Sequence, residues 1–450
     1  MRGEELVFLA WNDLTGLTRG CGVPVSELDE RMDRGVGWPM ANQALTPFPA
    51  FADNPWGPAG EVRMKPDPAT QLRINLWPDQ PPFNVILCDA FLADGTPWDA
   101  CPRGFLRMAL DDLEREAGLR LLAAFSLDFD VADTSRAGPP FTLAAFRAAP
   151  DFGALTVRAL RDAGVEPETF GPAAGVGQYR VTCRPAFGIA AADRCVAVRE
   201  VVREVARRMG RRISFAPAPE PERLGPGRPW PEQSGFEHPG NGAPIHFSLQ
   251  RDALPAGFDA AREGGLSEVA ARFAAGVVRH MPALCAFTAP AVASYFGPGP
   301  GCGSAGYACC GLDNRKAGLR ICAGSARIPL QTARQFHLEY RPADSAANPY
   351  LALGALVRAG LQGFREALPP PPLVEGDPDE LLEEERERLG IRRLPHTLAG
   401  ALDALEADAT VRSWFPASLL DTYIAVKRKE VVLMEGLSPQ EVCGRYREVY

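Results

Sequence analysis

No apolar run in this 450-residue sequence approaches the roughly 18 residues needed to cross a bilayer as a helix, which excludes a helical membrane span. The opening Met1-Arg2-Gly3-Glu4-Glu5 lacks the charged-then-apolar pattern of a secretory leader, so the cytoplasm is the expected compartment. Cys-x-x-Cys spacing is absent too. The 11 cysteines are odd in number and irregularly placed, and Cys309-Cys310 has no neighbouring histidine. Reduced, mostly buried thiols are expected, with neither a disulfide framework nor a cysteine metal centre. Lysine is rare: the basic residues are almost all arginine, and the few lysines include Lys65, Lys316, Lys427 and Lys429. A net charge of −8 argues against a nucleic-acid partner. The length is sufficient for a large core and too great for one small domain.

What is present is concentrated in residues 335–351. Phe336, Leu338 and Tyr340 alternate with His337, Glu339 and Arg341, which is strand periodicity. An imidazole, a carboxylate and a guanidinium therefore share one face. Asn348-Pro349 then breaks the chain, and the apolar run Tyr350 to Leu361 reads as a buried helix. Such a face can hold a metal beside an anionic group. It can equally be a solvated strand surface.

Elsewhere, Leu6 to Trp11 and Asn84 to Cys88 read as strands, residues 12–16 as a turn, and a helix starts at Ser26. Residues 38–60 read as loop. A helix runs from Cys101 through Glu116, and a strand from Leu121 to Val131 places Ser126, Asp128 and Asp130 on one face. Carboxylates two apart can share a hard cation, and the same pattern fits a half-exposed strand. Helices are expected over 141–165, 191–210, 266–280 and 377–388, with a strand from Ile213 and a surface loop over 219–240.

Leu338-Glu339-Tyr340-Arg341-Pro342, followed by Asp344-Ser345-Ala346-Ala347-Asn348-Pro349-Tyr350-Leu351, resembles the C-terminal signature of the glutamine synthetase family. Further landmarks resemble the family in order: Asp13 to Leu28, Pro66-Asp67-Pro68-Ala69-Thr70, Gly177-Gln178, His246 with Ser248, Ser294-Tyr295, Asn314-Arg315, and Leu394 to Leu405. The resemblance spans roughly residues 5–450. It implies an α+β fold, with a β-grasp-like N-terminal domain over 1–97 and a larger catalytic-type domain over 98–450 built on a curved antiparallel sheet. It also implies a homo-oligomeric ring with active sites at subunit contacts. The family joins ammonia or an amine to the γ-carboxylate of glutamate, using ATP and Mg²⁺ or Mn²⁺. By position, Glu339 and Asp128 stand at metal-ligand sites. Arg315, Arg341 and His246 are the candidate catalytic residues, and Ser248, Arg320 and His337 the candidate nucleotide-side residues. The implied partners are a glutamate-like or other anionic carboxylate and an amine.

The departures are as specific as the matches. Four positions that carry metal ligands in the family fall on Ser126, Pro172 (or Ala173), Arg180 and Pro244. Proline and alanine side chains have no donor atoms, and arginine is a permanent cation that would repel a metal. Arg180 is instead expected to occupy the vacated position, between carboxylates such as Asp128 and Glu339. The arginine that clamps glutamate falls on Gly297 and the flap glutamate near Gly303, and the loop that carries the family's ammonium-binding aspartate contains Asn42, Gln43, Asp53 and Asn54, none of them assigned to that role. Ordinary glutamine synthesis is therefore not expected. Three readings stay open: an altered ligase; a non-catalytic relative that binds a nucleotide or small anion or co-assembles with a paralogue; and an enzyme repurposed for metal-independent chemistry.

Overall fold

The computed structural model describes residues 4–132, 138–218, 240–296, 305–324 and 328–450. Two sheets organise it. The first is formed by β1 (Leu6–Asn12), β2 (Thr18–Pro24), β3 (Val36–Pro39), β4 (Glu61–Pro66), β5 (Leu72–Ile74) and β6 (Phe83–Phe91). Its order is β2-β1-β6-β4-β3, with β5 also on β6; only β1 and β6 run parallel. Residues 38–60 are not wholly loop, because they open with the end of β3 and a 3₁₀ turn over Met40–Ala44.

The second sheet contains β7 (Arg120–Val131), β8 (Pro167–Pro172), β9 (Gln178–Cys183), β10 (Ala186–Phe187), β11 (Ile213–Ser214), β12 (Ile245–Arg251), β13 (Leu254–Pro255), β14 (Tyr307–Leu312), β15 (Ala317–Cys322), β16 (His337–Tyr340) and β17 (Arg392–Arg393). It curls in the order β17-β14-β15-β16-β12-β7-β9-β8, antiparallel except for the β14–β15 pair. The architecture is the expected α+β arrangement with a curved sheet. One side of the sheet is apolar: Leu121, Ala123, Leu127 and Phe129 of β7, and Ile245 and Phe247 of β12, are all buried. The helices Ile189–Arg208, Glu268–Thr288 and Pro349–Arg365 cover that side. The other side is open.

The helix expected to end near His280 continues through Pro282 to Thr288. Proline forfeits a backbone donor at a cost of about 3 kcal/mol. Burying Leu284 and Phe287 returns roughly 1.5–3 kcal/mol each, enough to carry the helix across the break. The acidic stretch expected as one helix from Asp377 splits instead. Asp377 caps a 3₁₀ turn over Pro378–Glu380, its side chain accepting from the Asp379 amide, and the α-helix begins only at Glu383. The strand from Ile213 is two residues long. Most of the 219–240 loop lies outside the described residues.

Several landmark residues join the two sheets. Asn348 caps the buried helix, accepting from the Tyr350 and Leu351 amides at 2.9 and 3.0 Å, and its own amide donates to the Asp13 carbonyl at 2.6 Å. Pro349 occupies the first helical turn, where the missing N–H costs nothing. Gly16 (φ +83°) lies so close that an added Cβ would stand 2.6 Å from the Ala346 carbonyl. Arg103, 3 % exposed, gathers Asp67 just past β4, Asp89 of β6 and Asp193 of the helix Ile189–Arg208. These parts of the signature therefore set the seating of one sheet on the other.

Candidate functional site

Residues directly opposed in an antiparallel ladder point to the same face, as do residues two apart on one strand. Cys322 opposes His337, and Arg320 opposes Glu339. Glu339 in turn opposes His246. Across β7, Ser126 opposes Thr182 and Asp128 opposes Arg180. Arg180 opposes Gly171 of β8. The open face thus carries Cys322, His337, Arg320, Glu339, His246, Ser248, Ser126, Asp128 and Arg180 in one band across five strands. Pro244 lies in the same band, its carbonyl accepting from the Ser126 amide at 3.1 Å.

Both retained carboxylates are bound by arginine. Arg180 donates from Nε to Asp128 Oδ1 at 2.6 Å and from Nη2 to Oδ2 at 2.7 Å, a parallel fork. Arg320 donates to Glu339 Oε2 at 3.1 Å, and Arg341 to Oε1 at 2.7 Å. Asp128 and Glu339 are each only 4 % exposed. Burial pushes the Asp128 carboxyl above its usual range, against the pull of Arg180. Burial also pushes Glu339 upward, but Arg341, His246 and Arg320 together outweigh it and hold the carboxyl below the usual range. The expectation that Arg180 sits between Asp128 and Glu339 is half met: its hydrogen bonds go to Asp128, because Glu339 is already held by the arginines of β15 and the β16 end.

The position on β8 needs correction. Pro172 opposes Tyr179, on the apolar side, whereas Gly171 opposes Arg180 on the open face. Phe170, on the same side as Pro172, stacks on Tyr179 with centroids 5.6 Å apart. A shift of one residue exchanges the faces of a strand, so Pro172 points away from the open face, while Gly171 and the alternative Ala173, whose amide donates to the Gln178 carbonyl at 2.8 Å, keep the register of Arg180. Gly177 and Gln178 build the β8–β9 turn: Gln178 accepts from the Gly175 amide at 3.0 Å and donates to Asn241 at 2.9 Å.

The two histidines meet. His337 Nδ1 lies 2.7 Å from the Gln335 carbonyl, which can only accept, so Nδ1 carries the proton. Its Nε2 lone pair then faces His246 Nδ1 at 3.2 Å. Burial depresses His246 to about 4, partly offset by Glu339, so its imidazole is neutral near pH 7. Cys322 Sγ lies 3.9 Å from Glu339 Oε2, and burial with that negative charge raises the thiol to about 12. Ser248 is half-buried on the same face, and Arg315 is exposed in the turn between β14 and β15. Among the described residues every cysteine is a free thiol and all but Cys21 are buried. Cys322 nevertheless borders the site, which no feature of cysteine spacing signals. Gly297 and Gly303 lie outside the described residues.

A hard divalent cation does not fit the positions the family resemblance assigns to it. Such a cation takes six or more oxygens or, for magnesium, a near-ideal octahedron. Here Ser126, Gly171 and Pro244 offer no carboxylate, Arg180 is cationic, and Asp128 and Glu339 are neutralised by guanidinium groups. The face is instead suited to receive an anion, since Arg320 and Arg341, each 17 % exposed at the side chain, border it, and the charge of the exposed Arg315 is felt at Arg341.

Comparison with known proteins agrees with this architecture. Residues 2–98 match the family described as glutamine synthetase N-terminal domain, and residues 99–443 match glutamine synthetase, catalytic domain. The gamma-glutamylpolyamine synthetase GlnA3 of Streptomyces coelicolor is 33 % identical over 460 residues, covering 100 % of this chain and 94 % of the relative. A glutamine synthetase of Pyrococcus woesei is 29 % identical over 419 residues, covering 91 % and 86 %. A crystal structure of a novel glutamine synthase homolog superposes with TM-score 0.88 at 41 % identity, covering 100 % and 99 %. A GmaS–ADP complex, at 24 % identity and TM-score 0.78 over 97 % and 95 %, shares the fold.

Proposed function

This chain belongs to the glutamine synthetase family, and from that premise we propose that its open face binds an anionic small molecule through Arg315, Arg320 and Arg341 without the hard-metal chemistry of ordinary glutamine synthesis. The anion is a carboxylate of glutamate size or a phosphate-bearing group. One observation carries the reading: each carboxylate left at the family's metal positions already has an arginine partner. The family uses ATP and divalent ions to form and stabilise a transferred phosphoryl group, and the ions neutralise its charge. Removing several members of such a unit leaves little of its rate. In this reading His246 lines the anion pocket, and Ser248 and His337 border the nucleotide side. The chain is a cytoplasmic ring-forming protein with its domain division near residue 97.

A second reading is an altered ligase that joins an amine to a γ-carboxylate. Its support is the full-length likeness to a relative named as a gamma-glutamylpolyamine synthetase. Here ATP and a weakened Mg²⁺ or Mn²⁺ site at Asp128 and Glu339 would be retained.

Calorimetric titration distinguishes the two. The purified chain is titrated with glutamate, inorganic phosphate and ATP, each with and without Mg²⁺ or Mn²⁺. Anion binding that is indifferent to the metal, without ADP release on adding glutamate and amines, is the expected result. ATP binding that requires the metal, with amine-dependent ADP release, overturns it in favour of the ligase. Absence of all anion binding overturns both.

A further inference from the structure

We propose that His246, His337 and Cys322 form a site for one zinc-class divalent cation, distinct from the hard-cation positions this face has lost. The ligand atoms of the three residues all lie within 4.8 Å of one another. The spacing of the two imidazole nitrogens is 3.2 Å. Two nitrogens bound at about 2.0–2.1 Å to a tetrahedral zinc stand about 3.3 Å apart, so the pair already has the spacing to share an ion once the rings turn from their mutual hydrogen bond toward it.

Three further features support the site. The ligands come from β12, β15 and β16, which are hydrogen-bonded neighbours, and Cys322 and His337 are directly opposed. Sites on paired strands hold their geometry better than sites on loops. The Gln335 carbonyl accepts from His337 Nδ1 at 2.7 Å, which fixes the ring and aims Nε2 at the shared position. That is the outer-shell contact that metal-binding histidines use. Finally, two imidazoles and a thiol select zinc, cobalt or copper over magnesium and manganese.

Arg320 and Arg341 are already paired with Glu339, and Glu339 Oε2 is 3.9 Å from the sulfur. On binding, the thiol proton leaves to solvent, the His246 proton moves from Nδ1 to Nε2, and the sulfur becomes a thiolate, so the ion meets one new negative charge. Glu339 stays with its arginines and is not counted as a ligand. Three protein ligands leave a fourth position for water or for an anion on the open face, the arrangement of zinc sites that bind exogenous groups. His246 and His337 also line the pocket of the anion-binding reading above, but that reading rests on Arg315, Arg320 and Arg341, none of which is a ligand here, so either can fail without the other.

The test uses the full-length chain, stripped with chelator and titrated with Co²⁺. One equivalent should bind, with intense visible d–d bands and a near-ultraviolet thiolate-to-cobalt charge-transfer band. Zinc should displace it stoichiometrically, and Mg²⁺ should not. Cys322→Ser should abolish the charge-transfer band, while Cys443→Ser, at a buried thiol elsewhere, should keep it. His337→Gln, at a half-buried position, should weaken Co²⁺ binding by more than the roughly 10–100-fold that outer-shell changes cost. Circular dichroism verifies that each variant is folded; if Cys322→Ser is not, His337→Gln decides. Cobalt binding without a charge-transfer band, a band that survives in folded Cys322→Ser, or undiminished affinity in His337→Gln overturns the proposal.

Discussion

Arg180 and Asp128 face each other across β9 and β7 in a two-pronged hydrogen bond, 2.6 and 2.7 Å long. The pair stands where the family resemblance places two metal-binding carboxylates. Asp128 is 6 % exposed at the side chain and Arg180 45 %, so the carboxylate lies deep and the guanidinium closes over it. Ser345 holds the backbone beneath, donating to the Asp128 carbonyl at 3.0 Å. A permanent cation thus replaces a removable one.

Reversing that replacement should restore metal affinity. Gly171 is opposed to Arg180, and a Cβ added there meets nothing within 4 Å. Arg180→Glu combined with Gly171→Glu places two new carboxylates beside Asp128. Mg²⁺ affinity measured by calorimetry should rise at least about tenfold, or about 1.4 kcal/mol. Undetectable binding in the folded double variant would mean that these residues do not surround the old metal position.

Glu339 occupies both Arg320 and Arg341. Glu339→Gln removes the charge that holds them, so affinity for phosphate or glutamate should increase, by roughly tenfold if one charge-assisted hydrogen bond is released to the ligand. Weaker anion binding in this variant would show that the carboxylate itself recognises the ligand.

Asp344 contributes a pH dependence. It is buried, accepts from the Ala346 amide at 2.9 Å, and burial raises its carboxyl to about 6 from an ordinary 3.8. Between those values the folded chain holds a proton that the unfolded chain has released. Stability therefore falls as pH rises from about 3.8 to about 6 and then levels, by about 3 kcal/mol in all. Asp344→Asn should remove this slope. A denaturation midpoint series over pH 4 to 7 that has the same slope in wild type and variant contradicts the assignment.

The closing helices hide an ion pair. Lys427 Nζ meets Glu430 Oε2 at 2.9 Å with both side chains 0 % exposed, and Tyr446 donates to the other oxygen. Lys427→Met leaves a buried carboxylate uncompensated and should cost about 3–5 kcal/mol. Lys427→Met with Glu430→Leu should recover most of that, less about 1 kcal/mol for the hydroxyl of Tyr446. Urea midpoints of the two variants check the order; a double variant less stable than the single one would contradict it.

The support behind the sheet depends on two glycines. A Cβ on Gly276 would lie 2.0 Å from the Ala359 carbonyl, and one on Gly363 2.0 Å from the Arg272 carbonyl. The helices Glu268–Thr288 and Pro349–Arg365 touch backbone to backbone there. Gly276→Ala should lower stability by about 1–3 kcal/mol, seen as a lower thermal midpoint. An unchanged midpoint would mean that the helices separate without cost.

Much of the scaffold was legible locally. Alternation marked β16, Asn348-Pro349 marked the start of the buried helix, and Ser126 and Asp128 shared a face before any pairing was known. Each of these depends on neighbours within a few residues. The extension of a helix through Pro282 was not legible, because the apolar burial that outweighs the lost hydrogen bond comes from distant elements.

By itself, then, the sequence determined the strands, the caps and the kinds of group available, since backbone period and side-chain chemistry are local properties. Tertiary structure alone decided which groups meet. Arg180 reaches Asp128 across 52 residues, Arg320 reaches Glu339 across 19, and His246 reaches His337 across 91. Cys322 joins them only because β15 pairs with β16 in one register. A slip of one residue would turn each of these side chains to the opposite face. That register is set by the burial of the sheet's apolar side against the helices, which no short stretch of sequence contains.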